Sequence, residues 1–247
     1  MLLTAFLAAS AHAEIVTRDV EYRDGDAALQ GYVAYDDAQT GIRPGVMIVH
    51  DWDGLNDYEQ RRAKMLAELG YVAFCVDIYG KGVRPKNPQE SGEQAGKYRN
   101  DRALFRRRLQ TGLAELRRQP NVDTNRVAAI GYCFGGGGVL ELARSGADLN
   151  GVVSFHGNLD TPNPADANNI KAKILVNHAV DDPSVPRERV LAFFDEMKAA
   201  KKDYQFNVYN VQAHPFTVFG SPSYHEAADH RSWEAMKTFF NEIFAAG

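Results

Sequence analysis

The sequence predicts an α/β protein, a mostly parallel sheet with helices on both faces. Three observations predict it. Apolar runs of strand length recur along the 247 residues, segments of helical periodicity alternate with them, and several runs are apolar at every position rather than every second one. Strands buried on both faces read that way, and such strands belong to parallel sheets covered by helices. The length suits one large α/β domain, since single cores grow to about 250 residues. Hydrophobic residues make up 45% of the chain and charged residues 24%, enough apolar material for a core without staples. The formal net charge of -4 leaves no basic footprint for nucleic acid or an anionic membrane.

The N-terminal stretch from Met1 to Ser10 is apolar but too short to span a bilayer, which takes about 20 residues. Ala11-His12-Ala13 follows as a small-x-small pattern. Residues 1–13 are expected to be a signal peptide cleaved before Glu14, leaving 14–247 as a single α/β domain. The destination is then secreted or periplasmic. No Lys or Arg precedes the apolar run, and a cytoplasmic protein is expected if the segment is not a signal. No later stretch is long and apolar enough for a membrane anchor.

Residues 16–22 and 29–35 alternate in the manner of strands around the turn Arg23-Asp24-Gly25-Asp26, so a hairpin opens the domain. Residues 45–50 are a buried strand. A helix over 57–69 stops at Gly70, a strand over 71–76 follows, and a polar Gly/Pro-rich loop runs from Tyr79 to Gly96. Residues 99–118 form a charged helix whose Arg106-Arg107-Arg108 run reads as a solvated face. A strand over 127–132, a helix over 135–145, and strands over 151–155 and 173–177 come next. Helix 187–200, strand 204–210 and helix 227–243 complete the chain. Two cysteines are too few for a disulfide framework, and Cys75 inside its apolar run reads as a core residue.

In parallel sheets ligands bind beyond the carboxyl ends of the strands, which directs attention to the residues just after each one. Strand 127–132 runs straight into Gly131-Tyr132-Cys133-Phe134-Gly135, and a helix begins at once. A nucleophile on so sharp a turn needs small neighbours, and Gly131 and Gly135 stand two residues either side of Cys133. The free N–H groups of the following helix lower a thiol's pKa and help to hold an oxyanion. An activated thiol also needs a base and an orienting acid. His214 lies just past the last strand. Asp182 opens Asp182-Pro183-Ser184-Val185-Pro186 after strand 173–177, with Asp181 as its solvent-facing neighbour. The order nucleophile, acid, histidine is that of the α/β-hydrolase fold. His50, His156 and His178 are expected to pack loops or line the substrate site. The amide of Phe134 and one from the loop Asp51-Trp52-Asp53-Gly54-Leu55-Asn56 are the expected oxyanion donors. No close metal-ligand spacing occurs, and neither metal nor cofactor is expected.

These motifs, with Val76-Asp77-Ile78-Tyr79-Gly80 and Ala213-His214-Pro215-Phe216 in the same order, give the chain a specific resemblance to the dienelactone hydrolase family from about Val16 to Phe244. The resemblance implies a Cys133, His214, Asp182 triad, Trp52 as the second oxyanion amide, and Asp51 as the accessory acid beside the resting cysteine. Family members usually carry Glu there, one methylene longer. It also implies arginines that clamp a substrate carboxylate, one shortly after the catalytic histidine. Here Pro215, Phe216, Thr217 and Val218 stand at that place, and Lys81, Arg84 and Lys97 are the basic residues near the other. The expected activity is hydrolysis of a small carboxylic ester or lactone through an acyl-enzyme. A thioesterase or peptidase on the same scaffold, and an idle exported protein that binds a small carboxylate, are the alternatives.

Overall fold

The computed structural model describes residues 14–245, and the expected signal peptide at residues 1–13 lies outside them. Eight strands form one sheet in the order β1-β2-β4-β3-β5-β6-β7-β8. The hairpin is β1 (Ile15–Asp24) and β2 (Ala27–Asp36), and β2 joins β4 (Val72–Val76) antiparallel. From β4 onward through β3 (Arg43–Val49), β5 (Val122–Tyr132), β6 (Gly151–Phe155), β7 (Lys173–Ala179) and β8 (Tyr204–Tyr209) every pairing is parallel. The chain steps one way from β3 to β4 and the other way to β5. The crevice above β3 and β5 is therefore the switch point of the sheet, where ligands bind in this architecture.

Alternate strand residues feed two cores. Met47, Val49, Phe74 and Val176 face the layer containing α3 (Arg102–Arg118), α4 (Phe134–Arg144) and α5 (Arg187–Ala199). Val46, Ile48, Cys75 and Leu175 face α1 (Asp57–Glu68) and α6 (Glu226–Ala245). Cys75 is fully buried with its thiol on the Glu59 carbonyl, the core role expected of it. No helix among the described residues is long and apolar enough to cross a membrane.

Three sequence expectations need correction. The stretch from Tyr79 to Gly96 is not all loop, because α2 (Pro88–Asn100) starts inside it. Asn87 caps the helix from its side chain and Pro88 opens the first turn, where a missing N–H costs nothing. The charged helix begins at Arg102 rather than residue 99, after a break at Asp101, whose carboxylate caps it. The Arg106-Arg107-Arg108 run is not a solvated face either. Arg106 pairs with Glu141 and Asp166, and Arg107 and Arg108 share Asp24 at the end of β1, with Arg108 buried. These pairs fasten the hairpin and α4 to α3.

Candidate active site

Cys133 stands between the end of β5 and the first turn of α4, in a left-handed backbone conformation with φ 48°. A non-glycine residue there is strained, and the surroundings must over-determine it. Two glycines make the turn possible. A Cβ on Gly131 would lie 2.1 Å from the Gly135 carbonyl, and one on Gly135 would lie 2.1 Å from the Val49 carbonyl of β3. Neither backbone oxygen can retreat, so α4 reaches the sheet only with glycine at both positions.

The strand ends are in register. Val49 pairs with Gly131, Tyr132 with Phe155, and Phe155 with Asn177. The loops after β3, β5 and β7 consequently open at one level, and the loop after β8 joins them. His214 Nε2 is 2.8 Å from Cys133 Sγ, and His214 Nδ1 is 2.8 Å from Asp182 Oδ2. Asp182 is buried and also accepts the Ser184 amide, whereas Asp181 is exposed. An imidazole held between a thiol and a buried carboxylate can take up the thiol proton while the carboxylate fixes its tautomer.

The thiol itself is held in its neutral form. Burial, followed by the negative charge of Asp51, pushes its pKa well above the ordinary value, against smaller opposing effects of Arg99 and the Phe134 amide. The Asp51 carboxyl has its own pKa raised to about 6, first by burial and then by Asp53. Its Oδ1 accepts the Trp52 amide at 2.5 Å. One of the two expected oxyanion donors is thus engaged by Asp51, while the Phe134 amide faces the sulfur. Glu59 of α1 holds this loop from behind by accepting the amides of Asp51 and Asn56.

A cavity of about 510 Å³ opens over the thiol, lined by Trp52, Arg99, Asn158, Ser184, Arg189 and His214 among others. Arg99 and Arg189 escaped the sequence reading. Arg99 sits near the end of α2 with its guanidinium over the Phe134 ring, and Arg189 in the first turn of α5 reaches Asp160. The basic residues weighed from the sequence lie elsewhere. Lys81 pairs with Glu21, Arg84 bonds the Val83 carbonyl, and Lys97 rests over Tyr98. The signal that would have found Arg99 is the Asn87-Pro88 helix start, which places it three turns into a helix beside the elbow.

The three further histidines do not line this cavity. His50 is fully buried, its pKa pushed down to about 4 by burial, and it bonds the Asp51 carbonyl and the Ile78 amide. His156 is equally buried behind the elbow. His178 lies within β7 rather than after it and rests on Phe206. All three are packing residues with respect to the cavity.

A sequence profile described as the dienelactone hydrolase family matches residues 29–244. A Yersinia pestis protein provisionally named carboxymethylenebutenolidase is 27% identical, over 87% of this chain and 84% of its own. Among solved structures, a dienelactone hydrolase-like promiscuous phosphotriesterase from metagenomic libraries is 39% identical, with a TM-score of 0.88 over 94% of this chain and 99% of its own. Another, titled m3DLH, is 37% identical with the same TM-score, over 93% of this chain and 98% of its own. A family match over most of the chain and this close agreement in fold lead to one assignment: the chain belongs to the dienelactone hydrolase family and is a hydrolase of the α/β-hydrolase fold.

Proposed function

We propose that the protein hydrolyses small carboxylic esters or lactones through a Cys133-His214-Asp182 triad and an acyl-enzyme. The observation that carries this reading is the imidazole of His214, within bonding distance of both the Cys133 sulfur and the Asp182 carboxylate. Burial and Asp51 keep the resting thiol protonated, so the sulfur becomes a nucleophile only when its proton passes to His214 Nε2. Asp182 stabilises the imidazolium through Nδ1. The thiolate attacks the carbonyl carbon, and the Phe134 amide holds the tetrahedral oxyanion. The Trp52 amide joins it once the Asp51 carboxyl lets go. Collapse of the intermediate expels the alkoxide, which takes the proton from His214. Water, deprotonated by the same imidazole, then clears the acyl group.

The deciding experiment compares wild type with Cys133→Ala on short activated esters and on lactones. Wild-type turnover that vanishes in Cys133→Ala supports the triad, and unchanged turnover in the variant overturns it. A phosphotriester belongs in the same panel because one solved relative is a dienelactone hydrolase-like promiscuous phosphotriesterase. A soluble thioester and a short peptide test the other acyl-transfer readings.

A further inference from the structure

His156 follows β6 directly and has φ 41°, a left-handed conformation uncommon for residues other than glycine. It is fully buried. Its ring nitrogens touch two parts of the site that the chain keeps apart. Nδ1 lies 3.2 Å from the backbone nitrogen of Cys133, and Nε2 lies 2.8 Å from the hydroxyl of Thr217, three residues past His214. The Cys133 N–H can only donate and is shared between the Phe155 carbonyl at 3.0 Å and Nδ1 at 3.2 Å. With Nδ1 as its second acceptor, the ring proton sits on Nε2, facing Thr217. Thr217 is fully buried as well, and its hydroxyl meets Tyr58 Oη of α1 at 2.7 Å. Arg62 of α1 completes the anchorage by bonding the Thr217 carbonyl and Asp229 of α6. The imidazoles of His156 and His214 meet edge to face with centroids 5.4 Å apart.

We propose that His156, as the neutral Nε2–H tautomer, is a positioning residue that ties the thiol-bearing turn to the loop carrying His214 through Thr217 and so sets the sulfur-to-imidazole separation. This rests on the reading of Cys133 and His214 as the reacting pair. Two features make the bridge specific. The left-handed backbone is kept although it is strained, and the ring alone among the described residues' side chains bonds both the Cys133 amide and the Thr217 hydroxyl. A protonated His156 would turn a second donor on the Cys133 N–H and place a cation beside His214 as that ring takes up its own proton. The charged and titratable groups facing it are Cys133, His214, Tyr58, Tyr132, Arg62 and, farther off, His178. Burial, then the charges of His214 and Arg62, depress its pKa well below the ordinary imidazole value, which keeps it neutral.

The test separates the hydroxyl of Thr217 from its bulk. Thr217→Val keeps the shape and deletes the hydroxyl, whereas Thr217→Ser keeps the hydroxyl and deletes a buried methyl. A lost alignment between reacting groups costs about tenfold or more in rate. We expect Thr217→Val to lower kcat about tenfold with KM within about twofold, and to slow iodoacetamide alkylation of Cys133 by a similar factor. Thr217→Ser should stay within about threefold of wild type in both measurements. The proposal is overturned if Thr217→Val keeps wild-type kcat, or if the two variants lose activity only in step with their Tm. Should Thr217→Val not fold, His156→Asn takes its place. Asparagine tolerates this backbone and can still accept from the Cys133 amide, but it is too short for Thr217. It should show the same loss of kcat, and a wild-type value would overturn the inference. Cys133→Ala run in parallel keeps the two claims apart. Activity remaining in Cys133→Ala removes the triad, whereas an inactive Cys133→Ala beside a fully active Thr217→Val removes only the bridge.

Discussion

Asp51 touches both the thiol and an oxyanion donor, and its chemistry follows from being buried. Its carboxyl has a pKa of about 6 in the folded chain against 3.8 ordinarily. A carboxyl with a raised folded pKa contributes its stability in full below the unfolded value and loses it as pH rises through the folded one. Wild type therefore gives up roughly 3 kcal/mol between about pH 4 and pH 6 at this residue. Asp51→Asn removes that loss, so the Tm of the variant should gain on wild type by about 6 °C or more between pH 4 and pH 7. A gap that stays flat over that range would rule the account out. Removing the charge also lowers the thiol pKa, and iodoacetamide should label Cys133 faster in Asp51→Asn at neutral pH. The same logic separates the two aspartates beyond β7. Asp182→Asn takes the acceptor from His214 Nδ1 and should cost about 100-fold or more in kcat, while exposed Asp181→Asn should stay within about twofold. Sequence order pointed to Cys133, His214 and an aspartate after β7, and the Pro183 and Pro186 loop favoured Asp182 over Asp181. The fold brings His214 within bonding distance of Cys133 and Asp182. Sequence order could not reveal that the Trp52 amide is occupied by Asp51, because that depends on a rotamer within one loop.

At the level of elements, periodicity exposed every strand and most helices, since buried strands and two-faced helices leave strong apolar patterns. It missed α2 for a physical reason. That helix carries two glycines, and among its residues only Ser91, Ala95 and Tyr98 are buried, so its apolar stripe is too thin to stand out. The arginine run misled in the opposite sense, because a sequence lists charges without their partners. Asp24 and Arg108 are both nearly enclosed and pair at 2.5 Å. Losing one member leaves a buried charge, which typically costs about 3–5 kcal/mol. Asp24→Ala should lower the urea midpoint accordingly, less whatever relief Arg107 gains from being half exposed. The elbow gives a harder limit. Gly135→Ala would set a Cβ 2.1 Å from the Val49 carbonyl, and α4 would have to lift from β3. We expect a loss of about 3 kcal/mol or more in urea unfolding together with loss of ester turnover. A Gly135→Ala protein with wild-type stability would mean that α4 and β3 do not approach so closely.

Substrate choice belongs to the whole molecule, because the cavity draws its walls from segments scattered along the chain. Trp52 follows β3, Asn158 follows β6, Arg99 comes from α2 and Arg189 from α5. No single motif encodes such a wall, which is why the ester could not be read from the elbow. The protein carries a net charge of -4, yet the cavity is lined by Arg99 and by Arg189, which also pairs with Asp160, together with Asp51. A cleft of one dominant sign concentrates ligands of the other sign even when the whole surface is mildly repulsive to them. An ester with a carboxylate in its acyl part should therefore be preferred over its neutral isostere. Its kcat/KM should also fall as ionic strength rises, because salt screens charges over about 10 Å at 0.1 M. The neutral ester should show almost no salt dependence. Arg99→Met removes one cation from the cavity, and should raise KM for the anionic ester about tenfold while leaving the neutral ester within about threefold. Arg99 also lowers the thiol pKa slightly, so a small loss of kcat common to both substrates is expected. The discriminating quantity is the ratio of the two kcat/KM values against salt. A ratio indifferent to salt in wild type, or equally salt-sensitive in Arg99→Met, would show that the cavity does not select for negative charge.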